Sequence, residues 1–142
     1  MALKFWSHGT TVTFGSVPIG GLTSIGLPDQ SKEEVETTSH DSQGWREFTP
    51  GLRDGGTVSL TMRLKPGDPG QAALRANFNS DGVTEEVVIT LPEDPESSDF
   101  QLTFTFDAFV LDTGGTAPFD DVGELTFTLR IDGEVTTNDP SV

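Results

Sequence analysis

The chain has 142 residues, the length of one domain, and its 33% hydrophobic share together with 16 glycines is ordinary for a globular protein. It carries 8 basic and 23 acidic residues, for a formal net charge of −15, which argues against a domain that grips nucleic acid by its phosphates. It has no cysteine, which excludes disulfides and thiolate chemistry. Because neither a signal-peptide run nor a membrane-spanning stretch is present, we expect synthesis in the cytoplasm and no membrane association.

Short β-strands dominate the predicted secondary structure. A threonine-rich strand ends at Phe14, and apolar strands are predicted near residues 22–27, 34–38 and 87–91. Three further segments alternate strictly between apolar and polar residues, which is typical of half-buried antiparallel strands. Their apolar members are Val58, Leu60, Met62 and Leu64; Leu102, Phe104, Phe106 and Ala108; and Leu125, Phe127, Leu129 and Ile131.

One helix is predicted between these strands. Asp68 is a good N-cap, Pro69 suits the first helical position, and Gln71 stands where a capping box places its glutamine. The turn S-D-G at residues 80–82 ends the helix. We therefore predict a mainly β fold, an antiparallel β-sandwich or barrel with one flanking α-helix, in a single domain at residues 1–142 with a short flexible C-terminal arm from about residue 134.

Two long connections stand out, at residues 39–56 and 112–123. Loops of this length inside a compact domain are uncommon and are usually functional or disordered. The first carries Trp45, Phe48 and Leu52, which are too large and apolar for a solvated loop. They pack either against their own domain or against a neighbouring subunit, and the residues alone leave both possibilities open.

The sequence offers little for catalysis or for ligand chemistry. His8 and His40 are the only histidines and have no metal-ligand spacing, so a zinc site is not expected. The acidic pairs at residues 33–34 and 120–121 resemble solvated turns more than a glycosidase dyad. A phosphate-binding loop of the Walker type is missing. We expect no enzyme activity, no catalytic or metal site and no cofactor.

The order of features resembles the tail tube proteins of long-tailed, siphovirus-type bacteriophages, the family of the lambda tail tube. The resemblance covers nearly the whole chain, and its most specific segment is W-R-E-F-T-P-G-L-R-D-G-G at residues 45–56. Other matching pieces are G-G-L-T-S-I-G-L-P-D, the helix D-P-G-Q-A-A-L-R-A-N-F, and D-D-V-G-E-L-T-F-T-L-R-I-D-G.

This resemblance implies a structural virion protein that forms stacked hexameric rings around a lumen through which DNA passes without specific binding. It implies the tape-measure, tail-terminator and tail-tip proteins of the same phage as further partners. We expect inter-subunit contacts at Trp45, Arg46, Phe48, Leu52 and Arg53. A neutral, wettable sheet face is expected to line the lumen, formed by Thr57, Ser59, Thr61, Thr103, Thr105, Thr126 and Thr128.

The runner-up interpretation is a β-sandwich binding module, such as a carbohydrate-binding or adhesin-like domain. It requires exposed aromatic residues on one sheet face for sugar stacking. The chain has no tyrosine and two tryptophans, Trp6 and Trp45, so this hypothesis is the weaker one.

Overall fold

The computed structural model describes residues 10–91 and 102–138. The strands in chain order are β1 (Thr11–Phe14), β2 (Val17–Pro18), β3 (Leu22–Ile25), β4 (Ser31–Glu36), β5 (Phe48–Asp54), β6 (Thr57–Arg63), β7 (Glu85–Thr90), β8 (Thr103–Thr116) and β9 (Glu124–Asn138). The helix, α1, spans Pro69–Phe78, and a single 3₁₀ turn lies at His40–Ser42.

The strands form two antiparallel sheets of unequal size. The larger sheet has seven strands in the order β2-β1-β7-β8-β9-β6-β3 and curls into a half-barrel. The smaller sheet is the pair β4–β5, which together with the connection between its two strands we call the arm; the seven-stranded sheet with α1 is the body. The predicted class, mainly β with one flanking helix, is confirmed.

The core of the body follows directly from the alternation in β6, β8 and β9. In the β6–β9 pair, Leu60 lies opposite Phe127 and Val58 opposite Leu129, and all four are buried. The same face continues across β8, β7 and β1, and α1 packs on it through Leu74. The other buried apolar residues are Val12, Phe14, Ile19, Met62, Val87, Ile89, Phe104, Phe106, Ala108, Val110 and Ile131.

The start of α1 is capped as expected, but by half of the predicted capping box. Asp68 Oδ2 accepts from the Gln71 amide at 3.0 Å, and this bond is the main cause that lowers the pKa of Asp68. The buried Gln71 side chain does not reach back to the cap. Its Nε2 donates instead to the carbonyls of Gly20 and Arg63, at 3.1 and 2.9 Å, and its Oε1 accepts from the Lys65 amide at 3.1 Å. Gln71 therefore ties the helix to two neighbouring segments of the body.

Three predicted irregular regions are in part strand. The connection at residues 39–56 contains the 3₁₀ turn and all of β5, which pairs with β4. The connection at 112–123 shrinks to residues 117–123, because β8 continues to Thr116. Part of the C-terminal segment expected to be flexible, from about residue 134, is strand, since β9 runs to Asn138 and pairs there with Thr103. Residues 139–142 lie outside the described part of the chain.

Candidate assembly surfaces

The arm exposes large apolar side chains that nothing in the described part of the subunit covers. Trp45, in the turn before β5, is 78% exposed, and Leu52 in β5 is 81% exposed. Phe48 and Val35 are also exposed, as is every residue of β4. Monomeric proteins rarely leave several such residues uncovered together, and clusters of them mark protein interfaces.

The structure places all five predicted contact residues on the arm. Trp45 and Arg46 precede β5, whereas Phe48, Leu52 and Arg53 belong to it. All five are exposed. They do not form one cluster, because Phe48 and Leu52 lie near opposite ends of the strand.

A glycine pair joins the arm to the body at residues 55–56. Gly56 has a φ of +77°, and a Cβ on it would lie 1.9 Å from the Asp29 carbonyl oxygen, so no other residue fits there without a shift. A Cβ on Gly55 would meet Ile131 at 2.5 Å. The D-G-G sequence therefore lets the backbone of the arm cross β9 closely.

The arm is fastened at this crossing by Asp54. Its Oδ2 accepts from Arg130 Nη2 at 2.9 Å, and its Oδ1 accepts from the Gly56 amide at 2.9 Å. The Gly56 bond first, and the Arg130 bond second, lower the pKa of Asp54. The Ile131 amide donates to the Gly56 carbonyl at 3.0 Å. These bonds fix the base of the arm, at the end of β5, to the body.

A groove of about 1160 Å³ runs between the arm and the body. Its apolar lining is Leu52, Phe109, Ile131 and Val135. Its basic lining is Lys32, Arg53 and Arg130, and its acidic lining is Glu33, Asp54, Asp132 and Glu134.

The face of the large sheet opposite the core is rich in threonine. All seven residues predicted for a polar face alternate with buried residues on β6, β8 and β9 and therefore share this one face. Registered pairs confirm the continuity: Thr61 lies opposite Thr126, and Ser59 opposite Thr128. We call this the polar face.

One row of the polar face is purely acidic. Glu86 on β7 lies opposite Asp107 on β8, which lies opposite Asp132 on β9. Like charges directly opposite one another destabilise a sheet by a few tenths of a kcal/mol or more. The only ion pair found within residues 10–91 and 102–138 is Arg130–Asp54, so no cation in that part of the chain pairs with this row.

The turn between β8 and β9 forms a second apolar projection, which the sequence analysis did not single out. Phe119 is fully exposed, and Val122 is about half exposed. Leu64 lies beside them, since its amide donates to the Gly123 carbonyl at 2.6 Å. We call residues 117–123 the tip. A phenylalanine flanked by proline, aspartates and glycine in a turn was the available signal.

The fold is shared with solved tube structures. The chain aligns with a chain in an extracellular contractile injection system, the PVC sheath/tube terminator in its extended state, at a TM-score of 0.75 and 17% identity, covering 97% of this chain and 99% of that one. It aligns with a chain of the tail of an empty GTA particle, solved with C6 symmetry, at a TM-score of 0.65 and 22% identity, covering 85% and 84%. For the SPP1 tail tube, the TM-score is 0.69 at 14% identity, covering 96% and 80%. This is the tail tube fold.

Comparison of the sequence with known families and proteins gives no match. The sequence matches no protein-family model, and no curated protein matches it in sequence. The likeness to tail tube proteins is therefore one of structure, at identities where fold outlasts sequence similarity.

The tail tube fold leaves the runner-up hypothesis without support. A sugar-binding sheet face needs a row of exposed aromatic side chains, but Trp45 lies on the arm and Phe109 is the one aromatic residue that the described strands place on the polar face. Trp6 lies outside the described residues.

Among residues 10–91 and 102–138, no group of three or more histidines, aspartates or glutamates is placed to hold a metal ion. No helix in that same part is long and apolar enough to cross a membrane.

Proposed function

We propose that this protein is the structural subunit of a bacteriophage tail tube, assembled as hexameric rings that stack around a lumen for DNA. The observation that carries the proposal is the fold, which spans nearly the whole chain in structures of a sheath/tube terminator and of the SPP1 tail tube. A GTA tail with C6 symmetry favours six subunits per ring. The sequence resemblance to siphovirus-type tubes points to a long-tailed phage and to a place in the virion tail. The proposed role is structural, without catalysis or a cofactor.

The polar face is the proposed wall of the lumen. Its threonines and serine are neutral and wettable, and they outnumber the cationic and aromatic side chains of the same face on β6, β8 and β9, which are Arg63, Arg130 and Phe109. On this face, Glu86 and Asp107 lie outside the groove and repel phosphate rather than holding it. This arrangement favours passage of DNA over its binding, which fits a chain of net charge −15.

The edge strands of the large sheet support a barrel that is closed by pairing between subunits. Within the described residues, β2 and β3 each pair on one side only. Unpaired edges invite uncontrolled association unless they are covered or closed into a barrel. Pairing the β3 edge of one subunit with the β2 edge of the next gives a continuous barrel around the ring.

The arm is the proposed contact to a neighbouring subunit, through Trp45, Arg46, Phe48, Leu52 and Arg53. Their exposure supports this role, since each adds apolar or cationic surface that a second copy covers. Beyond the tube itself, the proposed partners are the tape-measure, tail-terminator and tail-tip proteins of the same phage.

Microscopy tests the proposal most directly. Negative-stain images of the concentrated protein are expected to show rings or tubes, and a cryo-electron microscopy reconstruction is expected to place the polar face on the inside. A protein that stays monomeric in light scattering and binds a glycan contradicts the tube. An inner surface with an excess of lysine and arginine contradicts the proposed lumen while leaving the tube intact.

A further inference from the structure

We propose that the tip of one subunit docks in the groove between the arm and the body of a second copy, with Phe119 over the apolar lining and Asp120–Asp121 against Lys32 and Arg53. This inference rests on the proposed function and names the contact that propagates the tube. Its basis is one pair of complementary surfaces that a single subunit cannot bring together.

The basic part of this contact consists of two like-charged residues that face each other. Lys32 on β4 lies directly opposite Arg53 on β5. Two like charges in register repel each other, and neither cation has an ion-pair partner within the described residues. In a chain with 8 basic and 23 acidic residues, two unpaired cations side by side are an unusual concentration of positive charge. An acidic partner from outside the subunit relieves their repulsion.

The tip supplies that partner. Asp120 and Asp121 are adjacent and exposed, and the segment from Asp112 to Glu124 contains no lysine or arginine. Phe119 beside them is fully exposed. In a free subunit this side chain is entirely in water, and covering such a ring on binding stabilises a complex.

The groove fits an aromatic side chain at its arm side. Exposed Leu52 and half-buried Phe109 and Val135 line it together with Ile131. The groove is not uniformly basic, because Asp132 and Glu134 line its body side and Glu33 lines its arm side, whereas Asp54 is neutralised by Arg130. The arm side thus has two cations, Lys32 and Arg53, against the one carboxylate of Glu33. The aspartates of the tip are therefore directed to the arm side, where Lys32 and Arg53 stand.

Geometry makes the contact intermolecular. The groove lies at Phe109 on β8, whereas the tip begins after Thr116 at the end of the same strand. At about 3.3 Å per residue this is a separation of roughly 20 Å along one hairpin. Two different surfaces on one subunit that fit each other form a head-to-tail contact, which repeats without limit or closes into a ring.

A charge swap tests the pairing. Asp120→Lys with Asp121→Lys, and separately Lys32→Glu with Arg53→Glu, are each expected to raise the critical concentration for tube formation roughly tenfold or more, because like charges then meet. Combining all four substitutions is expected to restore assembly to within about threefold of wild type. Asp81→Lys and Arg75→Glu, on exposed positions outside both surfaces, are the matched controls, and thermal melting verifies that each variant folds.

Crosslinking supplies an independent readout, since the native chain has no cysteine. Arg53→Cys combined with Asp121→Cys is expected to give a ladder of covalent oligomers under oxidation, whereas Arg53→Cys combined with Asp81→Cys gives none. Tubes that tolerate both charge reversals, a combined variant that fails to recover, or tubes without a ladder overturn the contact but leave the tube. A wild-type protein that forms no ring or tube overturns the proposed function itself.

Discussion

Two seven-residue strands, β5 and β6, follow each other in the chain with only a glycine pair between them, yet they differ in how far their side chains are buried. In β6, Val58, Leu60 and Met62 are buried and the intervening residues face out. In β5 no residue is buried, and Phe48 and Leu52 stand exposed. β6 thus completes its packing inside the subunit, whereas β5 has apolar side chains without cover.

Burial in the body concerns the folding of the subunit, whereas exposure in the arm concerns its assembly with other subunits. A two-stranded hairpin is marginally stable by itself in water, so the arm owes its order to its attachment at Asp54 and to whatever covers it. The body has a continuous core, so we expect it to fold without a partner. Substitutions in the two regions therefore act on different equilibria, and each prediction below asks whether that separation holds.

The largest effect is expected for the core of the body. Phe127→Ala removes a fully buried ring and is expected to lower the free energy of unfolding by about 3–5 kcal/mol. Leu52→Ala, the matched control on the arm, is expected to change it by less than about 0.5 kcal/mol. Chemical denaturation of the free subunit measures both. A clear loss of stability in Leu52→Ala shows that the arm belongs to the folding unit.

The next effect is expected in assembly. Trp45→Ala is expected to leave the melting temperature of the free subunit unchanged while weakening subunit contacts by about 2 kcal/mol or more, since an aromatic anchor is lost. Sedimentation of assembled tubes measures the second quantity. Reversing Arg46 or Arg53 is expected to slow assembly in a salt-dependent way. An early-melting Trp45→Ala subunit places Trp45 in the core of its own domain and removes the basis for the arm as an assembly element.

The body could be predicted from sequence because burial of one sheet face requires a recognisable pattern of apolar residues. Each strand that buries one face alternates strictly, as in T-V-S-L-T-M-R-L, and the helix start carries its own cap and proline at Asp68 and Pro69. The shared polar face of β6, β8 and β9 followed from the same alternation. These signals are local, so no knowledge of a partner was needed.

Of the arm, β4 was predicted in part, near residues 34–38, but β5 could not be predicted as strand. A strand exposed on both faces leaves no alternation to detect, and Pro50 and Gly51 in β5 are typical of a loop. Pro50 is accommodated because β5 pairs with one strand alone. The extension of β8 was hidden in the same way, since Gly114 and Gly115 carry no side chain to bury. The exposed aromatic residues at 45, 48 and 119 were visible in sequence, but their lack of cover required the structure.

Removing the N-cap of α1 is expected to lower the stability of the body by a moderate amount. Asp68→Ala removes the acceptor for the Gln71 amide at 3.0 Å and for the Gly20 amide at 3.2 Å. Loss of an N-cap costs about 1 kcal/mol of unfolding free energy. Asp68→Asn keeps a capping oxygen and is expected to retain most of the stability. Equal losses in both variants mean that the charge, rather than the hydrogen bond, stabilises the cap. Neither variant is expected to alter exchange in the arm.

The smallest effect is expected where the arm meets the body, and it depends on pH. The amide of Gly56, followed by the guanidinium of Arg130, lowers the pKa of Asp54 below its ordinary value. A group whose pKa is lowered in the folded state stabilises it above the unfolded value, near 3.9 for aspartate, and this contribution is lost as the pH falls through the folded value. Because Asp54 is exposed, the change in global stability is small.

Local exchange reveals this change better than global unfolding. Between pH 7 and about pH 3, we expect protection factors for amide exchange to fall in β4 and β5 while those of β6 and β9 stay high. Asp54→Asn is expected to show low arm protection already at neutral pH and no further acid-dependent step. Arg130→Gln tests the second partner and is expected to move the step to higher pH, since one of the two causes that lower the pKa is gone. If the acid-dependent loss of arm protection persists in Asp54→Asn, carboxylates other than Asp54 hold the arm on the body. If protection in β6 and β9 is lost at the same pH, the arm and the body unfold as one unit.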